Sequence, residues 1–421
     1  MQLVEQHNIK RTHPYFKELD KLCFLSKNLY NRANYIIRQE FIESSKRKEA
    51  GEVEHATYLN YNSIQKSLQE EKDFDYYNLP TKVSQQVLKL LDKNWVSFFK
   101  SIKDWKKNPD KYQGRPKLPK YKSPSKGRYV LIYTNQAFST KKYKEGIVLS
   151  GTNIKIKTRQ DKNSIAQVRI VPRNNEYLIE LVYEREVNIN ENLDKKNIAG
   201  LDIGLKNLAS ITSNKIVTRP ILINGRPLKS INQFFNKKKA VLQSHIGDVG
   251  TSNKIVSLTN KRNRKIKNYL HNASRKIVNH LLKNDIGILI IGKNINWKQN
   301  INIGKRNNQN FVSIPFDTFI KQIVYKCELE GIEVILIEES YTSKCSFIDM
   351  EPIHKHDTYA GKRIRRGLFV SRNNIAINAD CNASGNIIRK AVPEAFADGI
   401  EGVVVHPLRI TPYKINCGKI S

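Results

Sequence analysis

Asp202 lies inside the apolar run NIAGLDIGLKNLASIT (197–212), which reads as a single buried strand. An ionised carboxylate there is costly unless it is paired or bound to a metal. Gly200 and Gly204 flank it and would let a ligand's backbone come close. A second apolar run, IEVILIEE (332–339), ends in Glu338 and Glu339. Asp380 falls at the helix start in INADCNASGNIIRKAV (377–392), with Asn382 and Asn386 four apart on one face. Carboxylates delivered from strand ends and a helix start can hold two metal ions that align water with a phosphodiester. Hard oxygen donors select Mg2+ or Mn2+. Plainer readings are a satisfied structural Asp202 and, for Glu338 and Glu339, a solvated strand end paired with lysine.

The elements that must carry these acids follow from periodicity. After the run bearing Asp202 come two strand candidates (215–224 and about 227–231), then a basic helical region to about 284. IGILIIG (286–292) is a short strand ending at Gly292, and 314–331 is a helix with a glycine stop. The order β-β-β-α-β-α-β-α, with acids on the first strand, a later strand end and the last helix, is that of an RNase H-like nuclease. The predicted class is therefore α/β multidomain, with an RNase H-like nuclease domain over 191–421.

Upstream, residues 1–10 form a short strand, followed by a helix from Pro14 with Leu19, Leu22, Cys23, Leu25 and Leu29 at helical steps. Residues 82–106 make a second helix whose stripe includes Trp95, Phe98, Phe99, Ile102 and Trp105. Helix packing explains that stripe; base stacking by Trp95 or Trp105 is the alternative. From 127 to 190 the period changes to two, giving an antiparallel barrel or sheet completed by the first strand. Residues 187–197 form a polar linker.

The chain has 421 residues, with 73 Lys+Arg against 39 Asp+Glu, a formal charge of +34. Such an excess needs a polyanion nearby, and nucleic acid is the obvious one. The longest apolar run is about seven residues against the ~20 of a spanning helix, so no membrane partner is expected. The N-terminus lacks a signal-peptide pattern, and Cys23, Cys327, Cys345, Cys381 and Cys417 are scattered. A soluble, reduced, intracellular protein is expected. The proline-rich loop NPDKYQGRPKLPKYK (108–122) presents Lys111, Arg115, Lys117, Lys120 and Lys122 beside Tyr121, a phosphate-and-base surface or else a solvated linker. The KRIRR run (Lys362, Arg363, Arg365, Arg366) should touch nucleic-acid phosphates, unless it is simply an exposed basic hairpin.

GLDIGLKN, DCNASGN, the GRPKLPKYK loop and the EESYTSKCS segment resemble the transposon-encoded TnpB proteins, relatives of Fanzor and type V CRISPR effectors. The resemblance runs along nearly the whole chain. It implies a wedge β-barrel (1–10 and 110–190), a helical recognition lobe (11–109) and a RuvC domain with a target-strand insert over 340–376. It also implies a guide RNA (ωRNA), cleavage of double-stranded target DNA beside a short adjacent motif, and a prokaryotic, nucleoid-associated setting. A transposase encoded by the same element is compatible with it.

Two departures matter. TnpB proteins typically end the strand matching IGILII in a catalytic glutamate, where this chain has Gly292. In an RNase H-like sheet the next strand is a parallel neighbour, so a glutamate from its end could lean back toward the metals. The E-x-x-T-S form of Glu339 to Ser343 resembles the Fanzor-type arrangement, so Glu339 is the expected relocated ligand and Glu338 the second choice, with Asp202 and Asp380 completing the metal set. The family's paired CxxC zinc ribbon is also missing. Cys345, His354, His356 and Cys381 are potential donors, but without a CxxC pair zinc is not expected. The alternative function is an RNA-guided DNA binder that has lost cleavage and acts as a repressor; an end-joining transposase ranks lower.

Overall fold

Period-two alternation over the first residues forms β1 (Gln2–Ile9), whose sheet partner lies at the other end of its unit in sequence. A computed structural model of the chain describes residues 1–141, 143–187, 193–216, 218–247, 250–294, 312–397, 399–400 and 406–413. It divides into two units, Met1–Arg185 and Glu186–Ser421.

In the first unit, β1 leads into α1 (Phe16–Glu49), α2 (Tyr61–Glu70), α3 (Phe74–Tyr77) and α4 (Thr81–Lys107). The chain then returns to strands: β2 (Leu131–Thr134), β3 (Phe138–Ser139), β4 (Ile147–Leu149), β5 (Lys155–Ile156), β6 (Ile165–Arg173) and β7 (Glu176–Glu184). The sheet order β1-β7-β6-β2 joins the N-terminal strand to the late ones, with the helices inserted between, as the sequence indicates. Strands β3, β4 and β5 form a separate small sheet, so the expected barrel is described as two sheets. The α4 stripe is core: Trp95 is fully buried and donates from Nε1 to Asn34 Oδ1 at 3.0 Å. Burying that ring, with its one polar atom satisfied, joins α4 to α1. Asp20 of α1 accepts two guanidinium bonds from Arg128, at 2.9 and 2.8 Å, and the Tyr177 hydroxyl at 2.6 Å, tying helix to sheet.

The second unit begins with β8 (Ile198–Ile203), β9 (Asn207–Ser213) and β10 (Ile221–Asn224). The run read as one strand over 197–212 is thus two, because the chain turns at 204–206 and doubles back antiparallel. The strand expected near 227–231 is instead the first turn of α5 (Arg226–Ser244). Pro227 suits that first turn, and Leu228, Ile231 and Asn232 fall at helical spacing on its buried face. Then come α6 (Asn253–Lys283), β11 (Ile288–Gly292), α7 (Phe316–Glu328), β12 (Glu333–Ile337), β13 (Lys362–Arg365), β14 (Leu368–Val370), β15 (Ala376–Ile377), α8 (Ala379–Ala391) and β16 (Leu408–Ile410). Of the polar linker, residues 188–192 lie outside the described residues. So do residues 402–405 and 414 of the C-terminal stretch 402–414. The described part of that stretch supplies β16, which extends the sheet edge parallel to β10.

The main sheet has the order β12-β11-β8-β9-β10-β16. Strands β8, β9 and β10 are antiparallel neighbours, whereas β11 runs parallel to β8 and β12 parallel to β11. Alternation sends side chains to opposite faces. Leu201, Leu289 and Ile291 join a core with Ile231, Tyr269, Ile277 and Phe319 from α5, α6 and α7. Ile198 and Ile290 face the other way and pack with Ile387 and Ile388 of α8. By the same period, Asp202 and Gly292 belong to the α8 face.

Candidate active site

Asp202 is the penultimate residue of β8, and Asp380 lies in the first turn of α8. The two elements approach closely because of Gly200: a Cβ there would meet the Ser384 carbonyl oxygen at 2.1 Å. The glycine read as room for a ligand is therefore room for α8. Below it is a buried polar seam, where the Thr212 and Ser384 hydroxyls are 2.6 Å apart and Ser210 donates to the Cys381 sulfur at 3.7 Å. Burial raises the Cys381 thiol to about 12, so it remains protonated, a packing group beneath the acids. The seam was missed in the sequence, although Ser210 and Thr212 alternate along a buried strand and so point to one face.

The start of α8 is set by Asn378, whose side chain accepts from the amides of Asp380 at 3.0 Å and Cys381 at 3.3 Å. Such capping satisfies amides that the helix leaves unpaired. Asp380 Oδ2 accepts from Asn207 Nδ2 at 2.6 Å, and its other oxygen lies 3.5 Å from the Arg363 guanidinium. Asn207, at the start of β9, thus orients Asp380, a role that sequence reading did not assign.

Glu338 and Glu339 follow β12, next to the end of β11. They diverge. Glu338 is exposed, bonded to the Ser340 hydroxyl and 2.9 Å from Lys390 Nζ, and these partners lower its pKa. Glu339 turns inward: Oε1 accepts from Asn294 Nδ2 at 3.0 Å, while Oε2 is buried without a hydrogen-bond partner. Burial raises Glu339 to about 7, with the Glu338 charge adding to the shift. Asp202 is pushed well above the ordinary carboxylate range, first by burial, then by the charges of Glu339 and Asp380. Asp202, whose ionisation its two neighbouring carboxylates disfavour, and the orphaned Glu339 oxygen belong to a donor set suited to divalent cations. Among the described residues, no group of three or more His, Cys, Asp or Glu is already drawn together closely enough to hold an ion.

Gly292 ends β11 beside this set. A Cβ there would lie 2.6 Å from Ile387 Cδ1 and 2.8 Å from Glu339 Oε2. The space a glutamate at this position would cross is filled by Glu339.

The 340–376 segment is fastened to α8 by Asn382 and Asn386, both donating to the Cys345 carbonyl at 2.8 and 2.7 Å. Asn386 also donates to the Thr342 carbonyl, and Asn382 Oδ1 accepts the Phe347 amide. The four sulfur and imidazole side chains have separate contacts. Cys345 donates to the His354 carbonyl at 3.6 Å, Cys381 faces Ser210, and the His354 and His356 rings pack together at 4.0 Å. The centre of the segment is Glu351, buried at 6%, which accepts the amides of Ser346 and Ala360, each at 2.7 Å. Lys362, Arg363, Arg365 and Arg366 are exposed on β13 and the turn into β14, and of these Arg363 reaches the acids.

In the first unit, the proline-rich loop lies along α1. Asn34 and Arg38 hold the Pro119 carbonyl at 3.0 and 2.7 Å, and Asn31 bonds both the amide and the carbonyl of Lys122. Lys111, Arg115, Lys117, Lys120 and Tyr121 are exposed, and the Arg38 guanidinium stacks on Tyr121 at 4.6 Å. Lys122 is committed inward, its Nζ 4.9 Å from the Tyr30 ring and 5.1 Å from the Tyr129 ring.

The chain is similar to several known proteins. Residues 180–298 match the OrfB_IS605 family model, described as a probable transposase, and residues 316–387 match the Cas12f1-like TNB domain. The chain is 22% identical over 441 residues to the TnpB-like protein ORF457 of Acidianus two-tailed virus, covering 93% of this chain and 85% of that one. It is 28% identical over 158 residues to the TnpB-like protein MJ0751 of Methanocaldococcus jannaschii, covering 35% and 55%. Over 253 residues it is 26% identical to the CRISPR-associated endodeoxyribonuclease Cas12f1 of Sulfoacidibacillus thermotolerans, covering 56% of each. A solved Cas12f1-sgRNA-target DNA complex aligns over 91% of this chain and 98% of that one, at 14% identity and a TM-score of 0.36. No helix among the described residues is long and apolar enough to cross a membrane.

Proposed function

This chain belongs to the TnpB family, and from that membership we propose that it is an RNA-guided, divalent-metal-dependent DNA endonuclease of a transposable element. The observation that carries the reading is the unpartnered, buried Oε2 of Glu339, held beside Asp202 and Asp380. A catalytic acid that had merely decayed would leave no such convergence. Asp202, Glu339 and Asp380 would hold the cations, Mg2+ or Mn2+, which when bound supply an activated water and stabilise the leaving oxygen. Asn294 and Asn207 keep Glu339 and Asp380 turned inward by donating to one oxygen of each. Glu338, paired with Lys390, stays outside the set.

In this reading the first unit is the wedge and recognition lobe, and the second is the RuvC domain with its target-strand insert. Guide RNA and heteroduplex are bound by shape and charge, and target sequence is read by base pairing. The test is to purify the chain with its copurifying RNA, sequence that RNA, and assay Mg2+-dependent cleavage of a plasmid library carrying the matching target. Cleavage beside one short motif, abolished by Asp202→Asn, is the expected result. RNA-directed binding without cleavage in either metal would replace the proposal with the repressor alternative.

A further inference from the structure

A groove of about 830 Å3 opens in the first unit between α1, α4 and the proline-rich loop. Its apolar lining comes from Phe41, Phe98, Phe99 and Ile102. Its rim carries six cations, Arg38, Lys48, Lys106, Arg115, Lys117 and Lys120, and no carboxylate is among its described lining residues. Phe98 and Phe99 are half-buried, so ring surface remains open after their packing against Trp95. The Arg38 Nε is buried without a hydrogen-bond partner, although the same side chain holds the Pro119 carbonyl. An apolar floor of ring edges, a wholly cationic rim and an idle donor suit one kind of guest: a flat aromatic ring with phosphates on both sides.

We propose that this groove holds a single unstacked base of the bound RNA. The inference rests on the proposed function and deepens it by assigning a base-binding site in the first unit. Folded RNA offers loop bases already out of the stack, whereas duplex DNA must lose stacking to present one. The flanking phosphates lie on Lys117, Lys120 and Arg115, whose backbone is held by prolines and by α1, so little entropy is lost in placing them. The Arg38 and Tyr121 pair beside the groove continues the surface with a second stacking face.

The test uses the complex as it forms in cells. Parallel cultures are grown with 4-thiouridine or 6-thioguanosine, the complex is purified and irradiated, and crosslinked peptides are mapped by mass spectrometry. The expected result is a nucleotide attached to the peptide containing Phe98 and Phe99. A Phe98→Leu chain with an unchanged melting profile should lose that crosslink and bind RNA about 5- to 150-fold more weakly, the worth of one stacked base. Copurified RNA that crosslinks only elsewhere overturns the groove assignment and leaves the proposed function standing. A chain that carries no RNA overturns both.

Discussion

Glu339 occupies the volume that a side chain at Gly292 would claim: a Cβ on Gly292 would stand 2.8 Å from Glu339 Oε2 and 3.1 Å from its Cβ. Gly292 ends β11 and Glu339 follows the end of its parallel neighbour β12, so one cavity can be served from either. In the proposed site Glu339 supplies the carboxylate that Gly292 cannot, and a side chain at 292 would collide with it.

Exchange between the two positions follows from this. Glu339→Ala should lower plasmid cleavage by more than the 10- to 100-fold typical of losing a supporting residue around a metal ligand. Adding Gly292→Glu to that variant should recover part of the activity, because truncating Glu339 clears the space beside the Ile387 side-chain tip. Glu338→Gln should stay near wild type. Loss of activity with Glu338→Gln and retention with Glu339→Ala would reverse the assignment.

Glu351 makes a separate prediction about the 340–376 segment. Its carboxylate spans the amides of Ser346 and Ala360 within the segment. Glu351→Ala would orphan two amides, each worth about 1–3 kcal/mol when buried. A loss of about 2–5 kcal/mol in thermal unfolding is expected, together with faster proteolysis within the segment. Glu351→Gln retains one acceptor and should cost about half. Zinc chelators should leave the melting profile unchanged, and a chelator-induced drop would overturn this view of the segment.

A pH effect is expected at Lys326, buried on α7 with its Nζ 2.7 Å from the His271 carbonyl and 2.6 Å from the Ser274 hydroxyl. Burial lowers its pKa from 10.5 to about 8. A base depressed in the folded state adds stability above its unfolded pKa, and that stability is lost as pH falls through the folded one. The penalty is therefore complete at pH 7 and absent near 10.5. At 1.36 kcal/mol per unit it amounts to about 3 kcal/mol, reduced to about 1–3 by the two hydrogen bonds. Lys326→Met should unfold at a higher temperature than wild type at pH 7, with the gap closing toward pH 10.5. A gap independent of pH would show that Lys326 is not neutralised by folding.

What was legible in the sequence was what one periodicity or one misplaced charge reveals. Asp202 stood out as an acid in an apolar strand, and Asp380 as a helix-start acid. The β1 strand and the α1 and α4 stripes followed from spacing. The turn at 204–206 was missed because Leu205 and Leu208 continue the apolar run through it. The α5 start was mistaken because Pro227, Leu228 and Ile231 are too few apolar positions to separate two periods. Asn207, Asn294 and the Ser210–Thr212–Ser384 seam were invisible for another reason: their partners lie far away in sequence, and only the fold brings them together. Glycine gave the hardest case. Gly200 and Gly292 both sit near the acids, yet one admits helix α8 and the other admits Glu339.

The cations around the proline-rich loop should prove unequal in a salt titration. Each phosphate contact to single-stranded nucleic acid contributes about 0.7 to the slope of log affinity against log salt. Lys117 and Lys120 are exposed on the loop, so Lys117→Ala with Lys120→Ala should make the slope for RNA shallower by roughly 1.4. Lys122 was grouped with them by sequence, but its ammonium lies against the rings of Tyr30 and Tyr129. Lys122→Ala should leave the slope as it is and lower the melting temperature, since cation–π contacts of this kind are worth about 0.5–2 kcal/mol. Binding isotherms at four salt concentrations separate the two behaviours. Equal slope changes for all three lysines would mean that Lys122 leaves its aromatic cage when RNA binds.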